Sequence, residues 1–329
     1  MTTRADRPAT LDDVARLAGV SRSTASRVIA GTGFASTAAR SRVTAAADQL
    51  GYVPDPAARA LVRGAGVRLA VAASGESAAV LDDPYVEQVV AAAARVGGPY
   101  GLGVSLHWLP LAGSTELQRL AEDRGVRGVV LVNTTEPLLA ALPRSLRGRV
   151  ASLGVGSADV PSFDVDNGGG ATQVLRHLYA SGRRRIAMVA GPHWLPCTQR
   201  SVRAYERLAR DAGLPVRLLP GDFTAERGRA AAREAVRRWP DTDAIFAVSD
   251  PTALGVLAGL RGHGIDVPGD VAVAGFDDIP LAALSAPALT TASHPVGRIA
   301  TAAATALAEG ARAAPITTFP SVLIPRESA

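Results

Sequence analysis

The chain contains no lysine: all 35 of its basic residues are arginine, against 30 acidic residues. Such a bias is what codon composition produces, so the arginine total says little, while its placement says more. Cysteine is nearly absent as well. Cys197 stands alone, which rules out an internal disulfide and makes a reducing compartment the simpler expectation. The five histidines, His107, His177, His193, His263 and His294, form no HExxH pair and no cluster at metal-ligand spacing. Neither a metal site nor another cofactor is expected. No apolar run is long enough to span a bilayer, and the polar, basic N-terminus lacks the apolar core of a signal peptide. A cytoplasmic protein without a membrane partner follows as the expectation.

What is present is positional. Between Met1 and Gly66 there are nine Arg, five Asp and no Glu, a balance of +4 out of the net +5 of the whole chain. Clustered positive charge displaces counterions from phosphate, so this end is where a nucleic acid is expected, with affinity that falls steeply with salt. At 329 residues the chain exceeds one typical domain. A helical module of about 60 residues followed by a body of about 265 fits the size of domains, and the body can hold two cores.

Three apolar stripes at helical spacing occupy Thr10 to Arg63. Leu11, Val14, Ala15 and Ala18 form the first, Ala25, Val28 and Ile29 a shorter second, and Val43, Ala46, Ala47 and Leu50 the third. Thr10 with Asp13 resembles a capping box, Gly19 ends the first helix, and Ser21 can cap the second across a turn of about three residues. This is the layout of a helix-turn-helix. Ser23, Ser26 and Arg27 lie opposite the middle stripe and Arg22 projects from the first turn, and a face of arginine and hydroxyls suits base edges and phosphates in a major groove. Val53-Pro54-Asp55-Pro56 then stops the third helix, and Asp55 with Pro56 can open a short helix through Val62, with Gly64 to Gly66 as a linker.

From Arg68 onward, short apolar runs alternate with helical patterns: RLAVAA, GVVLVN, VASLGV, RIAMVAG, AIFAVSD and DVAVAGFDD. That alternation predicts parallel sheets covered by helices, in a series run twice, before and after about Val165. Ligands of such sheets bind beyond the carboxyl ends of strands, which singles out Ser74, Asn133, Gly154, Ser249, Asp250, Asp277 and Asp278. Enzyme readings find less support. Gly168, Gly169 and Gly170 match neither a Walker pattern nor GxGxxG and read as a turn before a helix. Ser249 beside Asp250 lacks a hydrolase elbow, and Cys197 near His193 is no dyad without a contact. The chain is not expected to be an enzyme.

LDDVARLAGVSRSTASRV, GYVPDPAARAL and GFDDIPLAALSAPALTT resemble the DNA-reading, hinge and effector-domain signatures of the LacI/GalR family of transcription regulators, and ASGRRRIAMVAGP and AIFAVSDPTALG resemble two further blocks. The resemblance covers essentially the whole chain. It implies a multidomain protein: an all-α helix-turn-helix DNA-binding domain plus an α/β periplasmic-binding-protein-like (type I) effector domain of two Rossmann-like subdomains joined by three crossovers. The boundaries expected are 1–53 for the reader, 54–66 for hinge helix and linker, and 67–329 for the effector and dimerisation domain. Within the last, one subdomain takes about 67–164 plus 295–320 and the other about 165–294 plus 321–329.

By position in that family, Arg22, Ser23 and Arg27 would read bases, while Ser21, Thr24 and Ser26 would hold phosphates. Leu61 would be a minor-groove wedge, with Arg59 and Arg63 near phosphates. Asp277 would accept bonds from sugar hydroxyls, with Asp278 the better candidate to cap the next helix. Phe223 would be an aromatic platform, and Tyr85 and Trp194 further cleft aromatics. Ser249 stands where the family frequently has Asn, Gly154 where some members have a ligand Asp, and the usual cleft arginine falls nearest Ser201 with Arg200 adjacent. Ala30 and Asp55 also depart from the usual asparagines.

The function implied is a sequence-specific DNA-binding regulator, a repressor in its usual form. A homodimer would sit on a near-palindromic double-stranded operator in the nucleoid, controlled by a small effector, a carbohydrate or related metabolite. A sugar-binding or sugar-modifying protein with an accessory DNA-binding module is the alternative, and an architectural DNA-bending protein a third. SVLIPRESA ends at Ala329 without a leucine heptad, so no tetramerising coiled coil is expected.

Overall fold

The computed structural model describes residues 9–31, 34–53, 67–111, 115–310 and 314–329. The hinge, including Arg59, Leu61 and Arg63, lies outside the described residues. Internal contacts divide the chain into two compact units, Met1–Val67 and Arg68–Ala329.

The first unit holds α1 (Leu11–Ala18), α2 (Arg22–Ala30) and α3 (Thr37–Gln49). Thr10 closes a reciprocal capping box: the Asp13 N–H donates to Thr10 Oγ1 at 3.3 Å and the Thr10 N–H to Asp13 Oδ2 at 3.0 Å. Gly19 ends α1 at φ +62°, a left-handed conformation that costs glycine little. Ser21 Oγ caps α2 by accepting from the Thr24 N–H at 3.2 Å. The buried centre is Val14, Ala15, Ala18, Ala25, Val28, Val43, Ala46 and Ala47. Leu50, expected in the third stripe, is instead the C-cap of α3 and 37% exposed. The helix stops at Gln49, and Tyr52 folds back, donating its N–H to Ala47 O at 2.9 Å, to pack on the core.

In the second unit, β1 (Arg68–Gly75), β2 (Gly103–Pro110), β3 (Val126–Thr134), β4 (Val150–Gly154), β5 (Ser162–Val165) and β11 (Ile316–Phe319) form one sheet in the order β11-β5-β4-β3-β1-β2. Every pairing is parallel. Period-two alternation sorts β1 cleanly between two faces. Leu69, Val71 and Ala73 meet α4 (Pro84–Gly97) and α12 (Val296–Glu309), while Ala70 and Ala72 meet α5 (Thr115–Glu122). Both faces are covered, which is why β1 reads as an unbroken apolar run.

The second lobe carries β6 (Ile186–Val189), β7 (Arg217–Leu219), β8 (Ala244–Ala247) and β9 (Ala272–Ala274), parallel in the order β7-β6-β8-β9. Ile186, Met188, Ala244 and Phe246 face α7 (Asn167–Ala180) and α8 (Pro196–Ala212); Ala187, Val189, Ile245 and Ala247 face α9 (Ala225–Arg238) and α10 (Asp250–Arg261). Gly168 to Gly170 lie within the first turn of α7 rather than before it, and Asp166 Oδ1 accepts from the Gly169 N–H at 2.8 Å. The chain leaves the first sheet after β5, returns between β10 (Thr291–Ala292) and α12, and leaves again from β11 to β12 (Leu323–Ile324), which pairs antiparallel with β10. Three connections therefore join the lobes. The last residues belong to the second lobe, where Ser328 O accepts from the Val273 N–H at 2.8 Å.

Helices α9 and α10 touch through glycine. A Cβ on Gly228 would overlap the carbonyl oxygen of Thr252, and one on Gly255 that of Ala225. Because the obstacle is backbone, it can yield only if a helix shifts. Gly255→Ala is expected to lower stability by about 1–3 kcal/mol as overpacking does, read as a lower midpoint in urea unfolding. An unchanged midpoint would show that the helices separate without cost.

Candidate functional site: a reading helix and an interlobe cleft

Ser21, Arg22, Ser23 and Arg27 are exposed on α2, with Thr24 and Ser26 half-buried and Ala25 and Val28 turned into the core. The hydroxyl of Ser21 lies 2.9 Å from those of both Ser23 and Thr24. Arg27 Nε donates to Ser23 O at 3.2 Å, which lays the side chain along the helix. Arg22 pairs with Asp12 at 3.2 Å, and both side chains are mostly exposed, at 72% and 59%. A pair this open contributes little stability, so Arg22 can exchange Asp12 for a nucleic-acid acceptor at small cost. The first turn of α2 holds no acidic residue of its own, so its positive helix end is suited to phosphate.

In the larger unit the carboxyl ends of strands from both lobes border one cleft, about 90 Å³ of cavity and about 820 Å³ counted out to its open mouth. The first lobe contributes Asp83 and Tyr85 at the start of α4, Asn133 and Gly154 at the carboxyl ends of β3 and β4, and Asp164 of β5. From the second come Thr198, Arg200 and Ser201 in the first turns of α8, with Phe223, Ser249, Phe276 and Asp277 on loops that follow strands. His294 lines it from a connection between the lobes. Asn133, Phe223 and Asp277 have positive φ of 57°, 71° and 118°. Non-glycine residues held so cost about 1–3 kcal/mol each, and such strain concentrates at ligand sites.

The polar groups of the cleft are partly spent. Asp164 accepts from the Val165 N–H at 2.8 Å and pairs with Arg200. His294 Nδ1 lies 3.1 Å from Asp277 Oδ1, and its ring packs 5.0 Å from Tyr85 and 6.1 Å from Phe276. Burial pushes the Asp277 carboxyl well up, with Asp83 adding to the rise, and lowers His294 to about 4. Burial likewise raises Asp83 and Tyr85 and lifts the Cys197 thiol to about 11, which makes it a poor nucleophile. Among the described residues Thr198 Oγ1, Arg200 Nε and His294 Nε2 are buried without a hydrogen-bond partner, and all three residues line this cleft. Three unsatisfied polar atoms in one place are costly without a ligand or water to meet them.

Tyr85, Arg200, Phe223, Ser249 and Asp277, separated by up to 192 residues in sequence (277 minus 85), thus border the same space. Of the strand-end positions, Asn133 and Gly154 join them, whereas Ser74, Asp250 and Asp278 do not. Ser74 O accepts from Asn133 Nδ2 at 3.1 Å. Asp278, expected to cap the following helix, pairs with Arg326 at 2.6 Å instead. That helix, α11 (Pro280–Leu284), has no side-chain cap, and Asp250 Oδ2 takes the Ile279 N–H at 2.9 Å. Trp194 lies outside the lining. Ser249 Oγ caps α10 by accepting from the Thr252 N–H at 3.4 Å, so its hydroxyl is partly committed.

Sequence reasoning missed Asp83, Asp164, Thr198 and His294. Asp164, a carboxylate inside a short apolar strand, was a readable signal; His294 was not, since only the lobe connection brings it to the cleft. Among the described residues no group of three or more His, Cys, Asp or Glu could hold a metal ion, and no helix is long and apolar enough to cross a membrane.

Comparison with known proteins agrees with this geometry at both ends of the chain. Residues 10–55 match the profile of bacterial regulatory proteins of the lacI family, and residues 175–329 that of a periplasmic binding protein-like domain. The HTH-type transcriptional regulator CelR of Thermobifida fusca is 36% identical over 306 residues, covering 87% of each chain. The chain belongs to the LacI family.

This LacI-family chain is also similar to the transcriptional repressor CytR of Escherichia coli K12, at 29% identity over 87% of the chain and 85% of the relative. Among solved structures, the CelR–cellobiose complex aligns with a TM-score of 0.70 at 31% identity over 98% of this chain and all of the other, 100%. The Lac repressor dimer bound to operator and the anti-inducer ONPF aligns at 0.84 with 24% identity, over 98% and 99% of the two chains, a likeness of fold. The LacI-family protein is a DNA-binding transcriptional regulator and not an enzyme.

Proposed function

We propose that this regulator is a repressor, acting as a homodimer on a near-palindromic operator in the cytoplasm, at the nucleoid. Arg22, Ser23 and Arg27 read bases, and Ser21, Thr24 and Ser26 hold phosphates. Arg59 and Leu61 act in the hinge, Arg59 at phosphate and Leu61 as a wedge between base steps. The effector is a carbohydrate. One observation carries that reading: among the described residues, three buried polar atoms without a partner belong to Thr198, Arg200 and His294, side chains of a cleft that Tyr85 and Phe223 also line. Polar groups matched to hydroxyls, beside aromatic rings for the apolar face of a pyranose, are what sugar recognition requires. Arg200, Ser249 and Asp277 supply further polar contacts. Cellobiose is the first sugar to try, because the similar CelR has been solved with it.

An effector shifts DNA affinity only by its difference in affinity for two arrangements of the lobes, a coupling of about 1–3 kcal/mol in typical regulators. A footprint of bound sites would first define the operator. Cellobiose and other neutral sugars would then be titrated against the labelled operator by fluorescence anisotropy; no change of affinity with any of them would end the carbohydrate reading. On the same operator, Arg27→Ala is expected to cost about 1–3 kcal/mol and to relax preference at one base position. Equal loss on random duplex would make Arg27 a phosphate contact.

A further inference from the structure

The carbohydrate reading leaves the charge of the ligand open, and the cleft's own charges decide it. The ionisable acids and bases on its lining, apart from the neutral tyrosine and thiol, are Asp83, Asp164, Asp277, Arg200 and His294. Arg200, the one guanidinium there among the described residues, is already paired with Asp164. Asp164 is itself anchored, accepting from the Val165 N–H at 2.8 Å and from Asn167 Nδ2 at 3.4 Å, so it is the fixed partner that holds the arginine. Asp277 and His294, 3.1 Å apart, carry no net charge when one proton is shared between them, on whichever side it sits. Asp83 then makes the sum negative when ionised and zero when protonated. The uncapped N-terminus of α8 adds only about half a unit of positive charge.

We propose that the cleft selects an uncharged, hydroxyl-rich ligand and rejects phosphorylated or carboxylated forms of such a compound, with Asp164 setting the choice by occupying Arg200. This rests on the carbohydrate reading above and narrows it. A hydroxyl both donates and accepts. It can give its proton to Asp83 or Asp277 on one side while taking bonds from Arg200 Nε and Thr198 on the other. A phosphate or carboxylate can only accept, and it would be desolvated against carboxyl groups with no free cation among the described residues to meet it, the arrangement by which specific sites exclude a close competitor.

The test is calorimetric titration of the full-length wild-type chain with cellobiose, glucose and galactose, and with glucose 6-phosphate and galacturonate as anionic probes. At least one neutral sugar is expected to bind, and every anionic probe at least about tenfold more weakly than the best neutral one. An anion that binds as tightly as that sugar overturns the selectivity and leaves the carbohydrate reading standing. Absence of binding by all neutral sugars overturns the carbohydrate reading and this inference with it. Asp164→Asn keeps the fold's acceptor for the Val165 N–H while freeing Arg200. It is expected to reduce the preference for neutral over anionic probes by about tenfold or more; an unchanged preference removes Asp164 from its role.

Discussion

Asp250→Ala is expected to lower the stability of the larger unit by about 3 kcal/mol, since each buried donor left unpaired costs about 1–3 kcal/mol. Asp250 is fully buried at the N-terminus of α10, where its oxygens accept from the Ile279 N–H at 2.9 Å and the Thr291 hydroxyl at 2.6 Å. One side chain thereby ties α10 to the loop that carries Asp277 and to the connection that carries His294. Asp250→Asn keeps the shape and can accept from Ile279 while donating to Thr291, so it should fold.

The two variants separate by pH. Burial, with neighbouring Asp277 adding to it, raises the Asp250 carboxyl from 3.8 to about 8. The native chain therefore keeps a proton that the unfolded chain releases, and stability falls as pH rises from 3.8 toward 8. His294 acts the other way: its value drops from 6.5 to about 4, so its share is lost as pH falls through that window and is flat above it. Between 6.5 and 8 His294 no longer contributes and Asp250 does, while Asp277 and Asp83, also raised by burial, act in the same direction as Asp250. Urea unfolding at several pH values should show a flatter slope for Asp250→Asn than for wild type. Equal slopes would place the retained proton elsewhere.

Asp277→Ala is expected to abolish the effector response on operator DNA while leaving affinity for the operator itself unchanged. Its carboxyl lines the cleft, contacts His294, and stands on a backbone of φ 118° that no L-residue adopts without cost. Asp277→Gly makes a sharper comparison, because it removes the same carboxyl and also relieves the backbone. The glycine variant should be as unresponsive as the alanine one and more stable than it, by about 1–3 kcal/mol. A retained response in either would take Asp277 out of the ligand site, and equal stability would show that the backbone at this position stores no strain.

How much of this was legible varied with the physics. The N-terminal unit was readable almost residue by residue, because caps and amphipathic stripes act over three or four positions: Thr10, Gly19 and Ser21 perform locally what their types suggest. Leu50 was misplaced because the end of a helix depends on what folds back upon it, here Tyr52. In the larger unit strands β1, β3, β4, β6 and β8, inside their sheets, and β9 at a sheet edge stood out as apolar runs. Edge strands β2, β7 and β11 and the short interior strand β5 did not, because polar residues interrupt their apolar sequence: β2 places Ser105 and His107 along its length, and β5 carries Asp164.

By itself, the order of residues determined the local and the repetitive: three helices, the first two with legible caps and the second with arginine and hydroxyls on its outward face, then alternating strands and helices in two series. Only the tertiary structure decided which polar groups are spent and which are free. It paired Arg200 with Asp164 across the cleft, moved Asp278 from a helix cap to Arg326, and brought His294 to Asp277. Those outcomes depend on distances between segments far apart in the chain. Such distances are set by how the sheets and their connections pack, and no short-range pattern of residue types encodes them.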